Sequence, residues 1–166
     1  ERLEPWRERC GELYLKHMLP VFEHVRSRGL RPMLWHDMVF KYGETGILPE
    51  IPKDVVMVHW DYSIIDGDSP SLQKTEEMKA AGLDVVTASA NRCAGDQTGV
   101  PKVSRHVPNC HCLARKGIEE ASGTLVTSWA IRHNHPETNM SATFAAVLAS
   151  RGLPGDTVEA AHDAWT

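Results

Sequence analysis

The sequence predicts an α/β fold in which four short parallel strands alternate with helices, and three observations carry that prediction. After an opening helix the chain runs through four strand–helix units, and such alternation forces parallel strands with right-handed crossovers. The strands are apolar on nearly every residue, as strands buried on both faces of a parallel sheet are. Three of them then run into a tryptophan followed by polar side chains: Arg31-Pro-Met-Leu-Trp35-His-Asp37, Val55-Val-Met-Val-His59-Trp60-Asp61-Tyr62 and Thr124-Leu-Val-Thr-Ser-Trp129-Ala-Ile-Arg132. In parallel sheets ligands sit beyond the carboxyl ends of the strands, which is where these residues stand.

Residues from about Pro5 to Arg28 read as an amphipathic helix. Cys10, Leu13, Tyr14, His17, Met18, Val21, Phe22 and Val25 recur there at three- and four-residue spacing. Pro20 lies inside the pattern, where a proline kinks or splits a helix, and Gly29 supplies the stop. The first strand follows at Arg31 to Trp35. Val39 to Asp54 reads as loop, with Gly43, Gly46, Pro49 and Pro52. The second strand is Val55 to Trp60. Ser69-Pro70 caps a helix running to about Ala81, which Gly82 ends. The third strand is Leu83 to Ser89, and Asn91 to Pro108 reads as a long polar loop. A helix from Asn109 to Ala121 leads through Gly123 into the fourth strand, Thr124 to Trp129. After the loop His133 to Glu137 comes a helix at about Ser141 to Arg151, stopped by Gly152 and Pro154. One more short helix is predicted near Val158 to Trp165.

The chain of 166 residues is one domain's worth of polypeptide. Its formal net charge of -4 is spread along the sequence, which argues against a nucleic-acid or anionic-membrane surface. No apolar run approaches the ~20 residues of a membrane span. Cys10, Cys93, Cys110 and Cys112 are too few and too uneven for a disulfide scaffold, so a reducing cytosolic setting is the default. Secretion stays open, because a removed signal peptide leaves no trace. The first helix begins without a preceding strand, the pattern expected of a piece of a longer chain.

A wall of aromatics beside polar groups at one end of a sheet is the composition a sugar-binding pocket needs. Met33-Leu-Trp35-His-Asp37, Val58-His-Trp60-Asp61, Gly82-Leu-Asp-Val-Val-Thr-Ala-Ser89 and Gly123-Thr-Leu-Val-Thr-Ser-Trp129 together resemble the second half of a family 20 glycoside hydrolase, the β-N-acetylhexosaminidases. The resemblance spans about Tyr14 to Gly155. It rests on four short motifs in register, none of which is decisive alone. It implies that residues 1–166 are the C-terminal half of a (β/α)8 TIM barrel, with the four strands as barrel strands five to eight. It implies further that Trp35, Trp60 and Trp129 wall the −1 subsite of an N-acetylhexosamine-containing glycan. The chemistry so implied is substrate-assisted retaining hydrolysis, in which the acetamido oxygen attacks the anomeric carbon.

Two departures from the family pattern bear on that expectation. The family's catalytic Asp-Glu pair ends barrel strand four, and no Asp-Glu dipeptide occurs in this sequence. No catalytic residue is therefore assigned to this chain, and the pair is expected upstream of Glu1. After barrel strand seven many members carry a Tyr and an Asp that hold the acetamide; here Ser89-Ala-Asn91 stands in that place, leaving Asn91 or Tyr62 for the role. Many members also have W-x-E after the last strand. Here Ile131 takes the Glu position, leaving Arg132 or Glu137 for the outer hydroxyls.

The remaining polar candidates each have a plainer reading. Asp37 and Asp61 are sugar-hydroxyl acceptors or helix N-caps. His36 and His59 are partners of a carboxylate or core histidines. His106, Cys110, His111 and Cys112 suggest zinc, but Cys-His-Cys on a helix start spreads its side chains apart, so no metal and no cofactor is expected. The alternatives are a half-barrel that binds sugar or only assembles, without catalysis, and a different (β/α)8 hydrolase using a metal. Half a barrel leaves two bare edges, so the expected partners are the missing N-terminal half-barrel or a second copy.

Overall fold

The computed structural model describes residues 9–41, 46–93, 102–129 and 136–166. Four strands lie in one parallel sheet in the order β1-β2-β3-β4: β1 (Met33–Trp35), β2 (Val56–Trp60), β3 (Asp84–Arg92) and β4 (Thr124–Ser128). The helices are α1 (Cys10–Ser27), α2 (Asp37–Lys41), α3 (Gln73–Ala80), α4 (Val103–Glu120), α5 (Met140–Ser150) and α6 (Val158–Asp163). Short 3-10 turns stand at Leu48–Glu50, Pro70–Leu72 and Pro136–Asn139. The chain divides into two compact units. One comprises Glu1–His59 with Lys74–Val85, the other Trp60–Gln73 with Val86–Thr166.

In the first unit β1 and β2 pair in parallel, with Met33 opposite Val56 and Trp35 opposite Val58. Val55, Met57 and Val58 are all buried, as the apolar run predicts for a strand covered on both faces. α1 turns Gly11, Leu15 and Phe22 inward, and Leu15 and Phe22 each contribute about 1.5–3 kcal/mol of burial energy. The helix runs on through Pro20, so the proline does not split it in two. A proline orphans the carbonyl four residues back, here Lys16, and Lys16 and Pro20 are both exposed. Gly29, at φ +71°, ends α1 with the Leu30 N–H bonded to the Val25 carbonyl. Arg26 grips Asp54 with two nitrogens at 2.5 and 2.6 Å, tying α1 to the turn before β2. Those bonds hold the Asp54 carboxyl below its ordinary pKa.

In the second unit β3 and β4 pair in parallel from Thr87–Thr124 to Arg92–Ser128, with an irregularity between Ala90 and Arg92. Two boundaries differ from the sequence reading. β3 runs on to Arg92, and α4 begins at Val103, inside the segment read as loop; residues 94–101 lie outside the described residues. Pro108 sits within α4, and the carbonyl it leaves without a helical donor belongs to exposed Ser104. The core here is built of small side chains, with Cys110 and Ala114 of α4 against Ala142, Ala145, Ala146 and Ala149 of α5 and Ala161 of α6. α6 is capped by Thr157, whose hydroxyl accepts from the Ala160 N–H at 3.2 Å.

Gly117 sets how closely α4 lies on the strands. A Cβ there would meet the Thr87 hydroxyl and, at 2.5 Å, the carbonyl oxygen of Gly123. Backbone cannot step aside, so Gly117→Ala is expected to destabilise the protein by about 1–3 kcal/mol despite the better helix propensity of alanine. Urea unfolding followed by circular dichroism measures this, and an unchanged midpoint would show that α4 has room to move.

Candidate functional site

Trp60, Tyr62 and Trp129 of the second unit form one connected cluster. Trp60 is the last residue of β2, and Tyr62 follows on a tight turn with the two rings 4.9 Å apart and inclined by 34°. Trp129 follows β4 and donates from Nε1 to the Tyr62 hydroxyl at 2.6 Å. Thr127 Oγ1 lies 3.4 Å from the same hydroxyl and donates to the Ser89 carbonyl at 2.7 Å. A hydroxyl has one proton, and the shorter bond takes that of Thr127. Tyr62 therefore accepts its short bond from the indole. Trp129 remains 46% exposed, so its ring is accessible while its N–H is engaged.

The turn that presents Tyr62 is built locally and from α4. Asp61 Oδ1 accepts from the Ser63 N–H at 2.9 Å and the Ser63 hydroxyl at 2.5 Å, an Asx turn. Asp61 thus neither caps a regular helix nor offers that oxygen outward. From α4, Asn109 donates to the carbonyls of Asp61 and Ile64, and Arg105 donates to that of Tyr62. Both α4 residues escaped the sequence reading, which began this helix at Asn109 and left Arg105 in a loop. Arg105 and Asn109 stand one turn apart on one helix face, but finding that spacing required knowing where the helix starts.

Asn91 turns away from the cluster. Along β3, Thr87 donates to the Leu113 carbonyl of α4, and Asn91 donates from Nδ2 to the Thr143 hydroxyl of α5. Alternate residues of a strand share a face, so Asn91 belongs to the helix-covered side. Val126 of β4 packs on that same side against the alanine core, which leaves Thr127 on the opposite face with Tyr62. Of the two residues weighed for the acetamide, Tyr62 is the one the cluster contains.

Trp35 and Asp37 belong to the first unit. Trp35 closes β1 and is 37% exposed; Asp37 opens α2, in a stretch expected to be irregular only from Val39 onward. Tyr14 of α1 has its phenol pKa pushed up, first by burial and then by the Asp37 carboxylate. His36 and His59 are buried with their rings edge to face at 4.7 Å, and His59 Nδ1 pairs with the Thr75 hydroxyl of α3 at 2.7 Å. Arg132 lies outside the described residues. Glu137 is exposed on the 3-10 turn before α5.

The four residues that suggested zinc all lie along α4, His106 and Cys110 in the core. His111 pairs with the Leu153 carbonyl at 3.1 Å, and Cys112 donates to the Asp66 carbonyl at 3.1 Å. Among the described residues no group of three or more His, Cys, Asp or Glu side chains could hold a metal ion. A cleft of about 430 Å³ beside α4 is lined by Asp66, Cys112, Arg115 and Asp156 among others, and none of the aromatic cluster borders it. No protein-family model matches this chain, and no curated protein matches its sequence.

Burial pushes the Cys110 thiol up from 9.0 to about 12. The folded protein therefore keeps a proton that the unfolded chain releases near its ordinary value. Stability from this group is fully present below that value and is lost as the pH rises toward the folded one, at about 1.4 kcal/mol per pH unit. Urea unfolding at about pH 8 and about pH 10 should show this fall, and Cys110→Ala should flatten it. An equal alkaline loss in the variant would assign the effect to other groups.

Proposed function

We propose that this chain supplies the substrate-binding half of a glycoside hydrolase barrel resembling the family 20 β-N-acetylhexosaminidases, acting on terminal N-acetylhexosamine residues by substrate-assisted retaining catalysis. The observation that carries the reading is the Trp60–Tyr62–Trp129 cluster at the carboxyl ends of parallel strands. Indole faces cover the apolar face of a pyranose, and a fixed hydroxyl among them gives the ligand's polar edge a partner. In this reading Trp60 and Trp129 wall the sugar and Tyr62 binds its acetamide. An aromatic wall excludes water and holds the acetamido oxygen near the anomeric carbon, which intramolecular attack requires.

The carboxylic acid that protonates the leaving oxygen comes, in this proposal, from a complementary half-barrel. β1 and β4 end the strand order on either side. Each leaves an apolar residue open to solvent, Met33 at 50% and Leu125 at 41%. Unpaired strand edges of this kind are covered in stable barrels. The absence of an Asp-Glu dipeptide favours a second reading, a half-barrel that binds sugar or assembles without cleaving.

Titration of N-acetylglucosamine against tryptophan fluorescence tests the pocket. Saturable binding is expected in the parent chain, and Trp60→Ala should weaken it tenfold or more, about 1.4 kcal/mol. Unchanged affinity in that variant would remove the pocket assignment. The two readings separate on an aryl N-acetyl-β-glucosaminide offered to the assembled barrel: turnover supports the hydrolase, and binding without turnover supports the sugar-binding module.

A further inference from the structure

The turn that carries Tyr62 is held by α4 through its backbone. Asn109, fully buried, donates from Nδ2 to the Asp61 carbonyl at 2.9 Å and the Ile64 carbonyl at 2.7 Å. Its Oδ1 accepts from the Ala90 N–H of β3 at 3.3 Å. Arg105, one turn earlier, donates from Nε to the Tyr62 carbonyl at 3.0 Å. Three of the four carbonyls between residues 61 and 64 thus end on two side chains of one helix. We propose that Asn109, assisted by Arg105, is a positioning residue that sets Tyr62 against Trp129 and so sets the sugar affinity of the cluster; this rests on the N-acetylhexosamine reading above.

Neither side chain is bonded to the Tyr62 ring, so each acts through the main chain. A displacement of about 1 Å would break the 2.6 Å bond between Trp129 Nε1 and the Tyr62 hydroxyl. The position also demands an amide. Asparagine offers two donors and an acceptor on one planar head, and all three are used here. Asn109→Asp keeps the volume and the acceptor for Ala90 but sets an oxygen against two carbonyls. It loosens the turn without opening a cavity, and protonation of the new carboxyl returns one donor.

The test uses the whole chain. Asn109→Asp is expected to keep its far-ultraviolet circular dichroism and cooperative unfolding, and to lose near-ultraviolet tryptophan ellipticity to the extent that Tyr62→Phe does. The double variant should lose no more than either single one, since both act on the same contact. N-acetylglucosamine affinity should fall tenfold or more in Asn109→Asp and recover in part on acidification, whereas the parent chain shows no such recovery. A retained near-ultraviolet signal, or losses that simply add, overturns the proposal. If Asn109→Asp does not fold, Arg105→Ala withdraws only the Tyr62 carbonyl bond; a partial loss of the same signal supports the proposal and an unchanged one overturns it. If the parent chain binds no sugar while the spectroscopic losses fail to add, the sugar reading falls and the positioning of Tyr62 stands.

Discussion

A backbone carbonyl shut away from water must find a donor, and the turn after β2 presents several together. In the second unit that demand is met from a side chain rather than from another strand or helix backbone. The amide of Asn109 reaches two carbonyls of the turn and one N–H of β3, so a single planar group joins helix, turn and sheet. Its reach depends on how low α4 lies. Gly117 admits the Thr87 hydroxyl and the Gly123 backbone where a Cβ would stand, and Thr87 in turn bonds the Leu113 carbonyl at 2.6 Å. The closeness of α4 to β3 thus sets the position of the turn, and the turn sets Tyr62.

Much of this was legible in the sequence because it is local. Apolar runs ending in Trp35, Trp60 and Trp129 mark strands whose last residues change character, and the strands lie where those runs are. What escaped depends on groups far apart in the chain. The proline rule is local, yet single helices run through Pro20 and Pro108, where the residues four back, Lys16 and Ser104, are exposed. Asn109 reads as a helix start because asparagine favours caps. Its use inside α4 comes from partners at Asp61, Ile64 and Ala90, which no spacing rule connects. Asn91 follows the same logic in reverse: it stands at a strand end, yet strand alternation and Thr143 carry it to the helix side.

Asp61 shows how a carboxylate at a suggestive place serves structure first. Its Oδ1 closes the turn through two bonds to Ser63. A short side chain one residue before the half-buried Tyr62 ring limits the turn's freedom from within, as Asn109 and Arg105 limit it from α4. The same bonds fix where the Tyr62 hydroxyl meets Trp129.

The bond between Trp129 and Tyr62 contributes little to folding, because an indole on a ring 46% exposed could exchange its partner for water at almost no loss. Its consequence is orientation. Trp129 lies beyond the last residue of an edge strand, and in solvent its side chain would sample several rotamers. Held by Tyr62, which is itself held by α4, it presents a single face. Ordering a rotamer-rich side chain during binding costs about 0.5–1.5 kcal/mol, and the bond to Tyr62 lowers that cost by favouring one orientation beforehand. A flat ligand stacked on Trp129 would gain from a contact whose ordering cost is partly met in folding. Phenylalanine at position 62 would supply the same apolar area without fixing the indole, which makes the tyrosine hydroxyl the group on which the arrangement of the cluster turns.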